Sequence, residues 1–274
     1  TDSTAYLTED LVQQHSIRVV PLKVHWGKDT FVDGVDITPD EFYKRLAKHA
    51  HLPTTSQPSI HDFLQVFEKL APQCDGIVAP LISSGISGTV ASAQAAAAEF
   101  NKVPVEVLDT RTTAGGLGLV VLAASRAAEQ GKVLGEVLQA AQETAEKLFT
   151  FFMVDTLKYL HKGGRIGGAS MYLGTAFSIK PILYLDEEGK IGALERVRTK
   201  QKALARLMEL AEEKTGGKPV RASIFHANSP EEAAAFQARL TERVNCQELH
   251  VFGLSAVIAT HVGPGAIGLA FYTE

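Results

Sequence analysis

Cysteine is scarce: Cys74 and Cys246 are the only two in 274 residues. Two thiols cannot build a disulfide framework, and no CxxC spacing suggests zinc, so no metal site is expected. Neither sign of charge is in large excess. The 27 Lys and Arg against 31 Asp and Glu leave a net charge of −4 at pH 7. That balance gives no general footing on nucleic acid, and at most transient contact with a membrane. Long hydrophobic runs are missing too. The best candidate, GLGLVVLAAS, ends at Arg126 and reads as a buried helix rather than a membrane span. Nucleotide-binding glycine motifs also fail: GGRIGG lacks a following GK[ST], and GGLG is not GxGxxG. The opening TDSTAYLTED has no secretory signal pattern, and the few thiols fit a reducing compartment, so a cytoplasmic protein is expected. The turn-like TDST, with no strand ahead of it, suggests that a short N-terminal strand is missing.

What the sequence does contain is a regular alternation of helix and strand signals. It is 45% hydrophobic and 21% charged, the balance of a globular chain. Thr8 can cap a short helix, and IRVVPLKVHW followed by GKD and TFVDG reads as a hairpin. Thr38-Pro39-Asp40-Glu41 and Ser59 with Asp62 have capping-box spacing ahead of two helices. LPTTSQPS between them reads as a polar loop. GIVAPLI is a buried-type strand, followed by an alanine-rich helix, the strand VEVLD and two further helices. This pattern predicts a mostly parallel α/β sheet domain over residues 1–148. Residues 149–274 carry FTFFMV, a glycine-rich break at KGGRIGG, a hairpin around Asp186 to Gly189, and a helix ending at Gly216. The strand segment PVRASIFHA, a further helix and the strands QELHVFG and AIGLAFYT complete a mixed α+β domain. The predicted fold class is therefore α/β with two domains.

The stretch LISSGISGTV, at 81–90, packs Ser83, Ser84, Ser87 and Thr89 into one strand-to-helix corner. A serine nucleophile elbow needs G-x-S-x-G, and Gly85 to Thr89 misses its last glycine. His261 lies downstream, but no acid is singled out to orient it; Asp2 and Asp155 are guesses. An anion site fits better, because a helix beginning near Ser87 offers unpaired N–H groups beside the hydroxyls. The plainer alternative is that Ser87 is only an N-cap.

Several segments together resemble the DegV family: DST at 2–4, TTSQPS at 54–59, ISSGISGT at 82–89, LKYLHKGGRI at 157–166, KPIL at 180–183 and HVGPGAIGLAFY at 261–272. The family's studied members include fatty-acid-binding subunits of bacterial fatty acid kinase. The resemblance implies one long-chain fatty acid held between the two domains, with no other cofactor. Thr55, Ser87 and His261 match the groups at the carboxylate, with the Gly88 N–H beside them. Asp2, Ser3, Ser83 and Ser84 form a secondary set near that head group. Arg165, and either Arg196 or Arg198, resemble residues that contact an ATP-dependent kinase subunit. Catalysis would then lie in that partner, and the chain would carry the acyl phosphate away. The runner-up is an enzyme using Ser87 and His261, an esterase or a phosphotransfer enzyme of the dihydroxyacetone-kinase type.

Energetics suit the carrier reading. Burying an acyl chain is worth about 0.8 kcal/mol per methylene, whereas a hydrogen bond to a charged group adds about 1.5–3 kcal/mol. The tail should dominate affinity, and neutral hydroxyls should fix which end faces outward.

Overall fold

The computed structural model describes residues 1–49, 51–174 and 179–273. Thr8 accepts from the Leu11 N–H and opens α1 (Glu9–Gln14). The hairpin follows as β1 (Lys23–Trp26) and β2 (Asp29–Val32), and Gly27 takes the left-handed conformation its turn requires. Both capping boxes form. Thr38 and Glu41 bond each other's backbone N–H at the start of α2 (Pro39–Lys48). Ser59 and Asp62 do the same for α3 (Ile60–Leu70).

The polar loop between those helices is where the chain departs from expectation. Thr54–Ser56 forms β3, antiparallel to β1, with Thr55 opposite Val24. Nothing in its composition demands a strand. The edge of β1 supplies the backbone partners that the segment would otherwise seek from water.

β4 (Ile77–Leu81) and β5 (Val105–Asp109) pair in parallel, with α4 (Thr89–Glu99) as the crossover. That helix begins at Thr89 with Gly88 as its cap, so Ser87 is not the N-cap residue. α5 (Ala114–Glu129) and α6 (Leu134–Lys147) follow. Parallel pairing in this half is narrower than expected. Among the described residues it comprises β4–β5 and two isolated bridges, Asp2–Val20 and Asp33–Ile37, beside the antiparallel order β2-β1-β3.

The second half runs β6 (Phe149–Met153), α7 (Lys158–Lys162), β7 (Lys180–Leu185), β8 (Ile191–Val197), α8 (Lys200–Thr215), β9 (Val220–His226), α9 (Pro230–Arg243), β10 (Cys246–Gly253), α10 (Ala256–Val262) and β11 (Ile267–Thr273). Its strands form a six-stranded mixed sheet, β10-β9-β11-β6-β7-β8, in which β10 and β9 are parallel. Helices α8 and α9 cover one face with Leu207, Met208 and Phe236. Helix α5, from the first half, covers the other face and is buried along most of its length. Its glycines allow that approach: a Cβ at Gly115 would lie 2.3 Å from Ser223 Oγ. Helix α6 closes over the outer side of α5 through Val137 and Ala141. Residues 148 and 149 mark the passage from α6 into the sheet.

Helix α10 has seven residues, too few to show a hydrophobic period. It is held from the first half. Ser255 Oγ donates to Asp33 Oδ1 at 2.6 Å, and the Ile258 N–H donates to the Tyr6 hydroxyl at 3.0 Å. Tyr43 donates to the Leu254 carbonyl at 3.0 Å, just ahead of the helix.

Candidate functional site

The start of α5, the face of the six-stranded sheet and α10 line a narrow chamber. Its wall is overwhelmingly apolar, with Ala114 from α5, Phe152 from β6, Phe225 from β9, and Val257 and Ile258 from α10. Each comes from an element whose packing is fixed by the layers above, so the chamber exists only where both halves meet.

Six polar residues line the chamber: Thr55 on β3, Ser87 before α4, Arg165 after α7 and His261 on α10, which also border outer clefts, and Thr113 and Thr150, which do not. Thr55, Arg165 and His261 also line a polar cleft with Lys162. Ser87 and Arg165, now with Gly88, line another with Lys190. The four that border the clefts thus stand at a neck between apolar space and two basic outer clefts.

Within the neck, Thr55 Oγ1 lies 2.9 Å from His261 Nε2. Ser87 Oγ lies 2.9 Å from Thr89 Oγ1. The Gly88 N–H meets no protein acceptor among the described residues. His261 is only 9% exposed, and burial, helped by the positive charge of Arg165, pushes its pKa down to about 4. It is therefore neutral near pH 7. Arg165 donates to the Ile86 carbonyl at 3.2 Å and the Gly163 carbonyl at 2.8 Å, which anchors its guanidinium in the chamber wall. Sequence reasoning set this arginine on a partner-facing surface and did not foresee it in one chamber wall with Thr55 and Ser87. Lys162 and Lys190 were not singled out at all; the run HKGGR held a weak signal for the first of them.

The secondary set lies elsewhere. Asp2 is fully buried and accepts from Ile82 N–H at 2.7 Å, Thr4 N–H at 2.9 Å and Thr4 Oγ1 at 2.6 Å. Burial raises its pKa, against those hydrogen bonds. Ser3 donates to Asp33, Ser83 donates to the Gly189 carbonyl, and Ser84 donates to Asp109. These bonds brace the corner, and none of the four residues lines the chamber or either cleft. Arg196, on β8, is exposed with its guanidinium over the Tyr172 ring, and Arg198 is exposed just past that strand.

Nor does the neck assemble acyl-transfer machinery. The Ser87 hydroxyl pairs with Thr89, and His261 Nε2 pairs with Thr55 rather than Ser87. His261 Nδ1 has no partner among the described residues, so no carboxylate orients the ring. Asp155, the other guessed acid, pairs with Lys180 at 2.7 Å. Among the described residues no cluster of metal-ligating side chains occurs.

Comparison with known proteins agrees with this architecture. Residues 1–274 match the family described as "Uncharacterised protein, DegV family". A DegV domain-containing protein of Streptomyces coelicolor is 41% identical over 98% of this chain and 95% of its own length. A DegV family protein from Thermus thermophilus, whose structure is described as fatty acid binding, superposes with a TM-score of 0.94 at 37% identity, covering 100% of this chain and 98% of that one. A stearic-acid-binding protein from Eubacterium ventriosum superposes with a TM-score of 0.90 at 25% identity, covering 99% and 96%. The chain belongs to the DegV family.

Proposed function

We propose that this protein is a carrier for a long-chain fatty acid, with the acyl tail in the apolar chamber and the carboxylate at the neck. One observation carries the reading: a mostly apolar chamber meets the outer clefts at a neck formed by Thr55, Ser87, Arg165 and His261. Thr55, Ser87, the Gly88 N–H and His261 are the groups assigned to the carboxylate. About fourteen buried methylenes would contribute roughly 11 kcal/mol gross, several times what the head-group bonds can add. The acyl tail therefore sets affinity, and the neck sets orientation. That the Thermus and Eubacterium relatives are fatty-acid-binding proteins supports the reading.

The proposal extends to a role. The carboxylate is presented to a separate ATP-dependent kinase subunit in the cytoplasm, and the chain carries the resulting acyl phosphate. Support comes from the motif resemblance, and from the basic clefts at Lys162 and Lys190 that continue outward from the neck. Arg165, Arg196 and Arg198 are assigned to the partner side, Arg165 at the neck itself. Residues 1–148 and 149–274 are taken as the two lobes that embrace the ligand.

Native mass spectrometry of the purified protein, with and without added palmitate or oleate, tests the carrier. A mass increment of one fatty acid per chain is expected, and its consistent absence refutes the reading. Palmitate phosphorylation by a fatty acid kinase subunit, dependent on this chain, tests the role. Kinetics unchanged in Arg196→Ala and Arg198→Ala would count against those two as partner contacts.

A further inference from the structure

The neck contains one atom that the carrier reading leaves unexplained: His261 Nδ1, buried and without a hydrogen-bond partner among the described residues. The ring's other nitrogen, Nε2, is bonded to Thr55 Oγ1 at 2.9 Å. What faces Nδ1 is backbone. A Cβ built on Gly163 would lie 2.3 Å from it, so the glycine hydrogen that points in that direction faces the nitrogen.

A neutral imidazole has two tautomers. With the proton on Nδ1, a buried N–H donor would press against a C–H hydrogen with no acceptor in hydrogen-bonding geometry, since the nearby Tyr159 carbonyl accepts from the Gly163 N–H instead; folded proteins rarely tolerate such an orphan. With the proton on Nε2, the bare Nδ1 faces the polarised Cα–H in a weak favourable contact, and the Nε2–H has its acceptor in Thr55. We infer that Gly163 fixes His261 as the Nε2–H tautomer, so that Thr55 Oγ1 accepts from the histidine and must direct its own hydrogen into the neck. Gly163 and His261 are then positioning residues, and His261 serves the carboxylate through Thr55 rather than by direct contact. The burial and the Arg165 charge that keep His261 neutral are consistent with this.

The consequence is a selection rule for the head group. Thr55 has no other protein acceptor among the described residues, so its hydrogen seeks one from the ligand. The Gly88 N–H points to the same need. The neck therefore favours an acceptor-only head group, an ionised carboxylate, over a protonated acid or a primary amide of equal chain length. This selection rule rests on the carrier reading; the tautomer assignment does not.

The test is ¹⁵N-histidine NMR on the whole protein, free and with palmitate, in wild type and two variants. Expected in the wild type is a His261 signature with Nε2 protonated and Nδ1 bare, unchanged by palmitate. A protonated Nδ1 overturns the inference whether or not palmitate binds. Conversely, the expected signature without palmitate uptake refutes the carrier reading and leaves the tautomer assignment standing. In Thr55→Val, palmitate affinity should fall about tenfold or more, with Nδ1 still bare because Gly163 still faces it. A proton moving to Nδ1 in that variant would show that Thr55, not Gly163, sets the tautomer, and would overturn the claim. Gly163→Ala should displace the imidazole, erase the Nε2–H signature and weaken palmitate about tenfold or more. A folded Gly163→Ala protein with both unchanged would also overturn it.

Discussion

His261 should make the protein acid-sensitive through the histidine staying neutral, not through its becoming charged. Its pKa is about 4 in the folded chain, against 6.5 for an unperturbed histidine. Well above pH 6.5 the group is neutral in both states and contributes no pH dependence. Between pH 6.5 and about 4 the unfolded chain binds a proton that the folded chain refuses, so stability falls as pH falls. Integrating that difference gives a loss of about 2.5 kcal/mol between pH 7.5 and pH 4.5, from this residue alone. The assay is urea unfolding at several pH values, on wild type and on His261→Gln. Carboxylates and other histidines titrate in both proteins, so the difference between the two curves isolates His261. The variant should lose about 2.5 kcal/mol less than wild type across that range. Parallel curves would refute the claim that burial holds this imidazole neutral. An NMR titration of His261 with a midpoint near 6.5 would refute it independently.

Three further outcomes follow from the same geometry. Arg165→Ala removes the charge that assists burial in depressing the His261 pKa, so the NMR midpoint of His261 should rise; an unmoved midpoint would assign the whole shift to burial. Val257→Phe intrudes on the chamber wall and should displace about three methylenes of a long chain, costing about 2.4 kcal/mol or roughly fifty-fold for palmitate. Shorter acids should suffer less by isothermal titration calorimetry, and equal losses at all chain lengths would place the tail elsewhere. Asp2→Ala leaves the Ile82 N–H, the Thr4 N–H and the Thr4 hydroxyl without their acceptor, so urea unfolding should show a loss of about 3 kcal/mol or more. A loss below about 1 kcal/mol would show that water replaces the carboxylate there.

Much of the architecture can be read from local signals. The two capping boxes, the Gly27 and Asp186 turns and the cap at Gly216 depend on side chains a few residues apart, and each forms as the spacing predicts. The chamber cannot be read this way, because a lining residue such as Phe152 or Val257 has the same composition as a core residue. Two elements that build the neck are equally silent. β3 owes its extension to the edge of β1, and α10 owes its start to Asp33 and Tyr6, both more than 200 residues away in sequence.

The sequence by itself determined the alternating pattern, the helix ends, the scarcity of thiols and the motif set that marks the family. Tertiary structure alone decided that Thr55 and His261, 206 positions apart, share a hydrogen bond. It also decided that the Asp2 and Ser83 side chains turn inward to brace the corner, and that Arg165 closes the neck. The physical reason is separation along the chain. Caps and turns are satisfied within a few residues, whereas a buried imidazole beside a glycine backbone depends on how two distant layers meet.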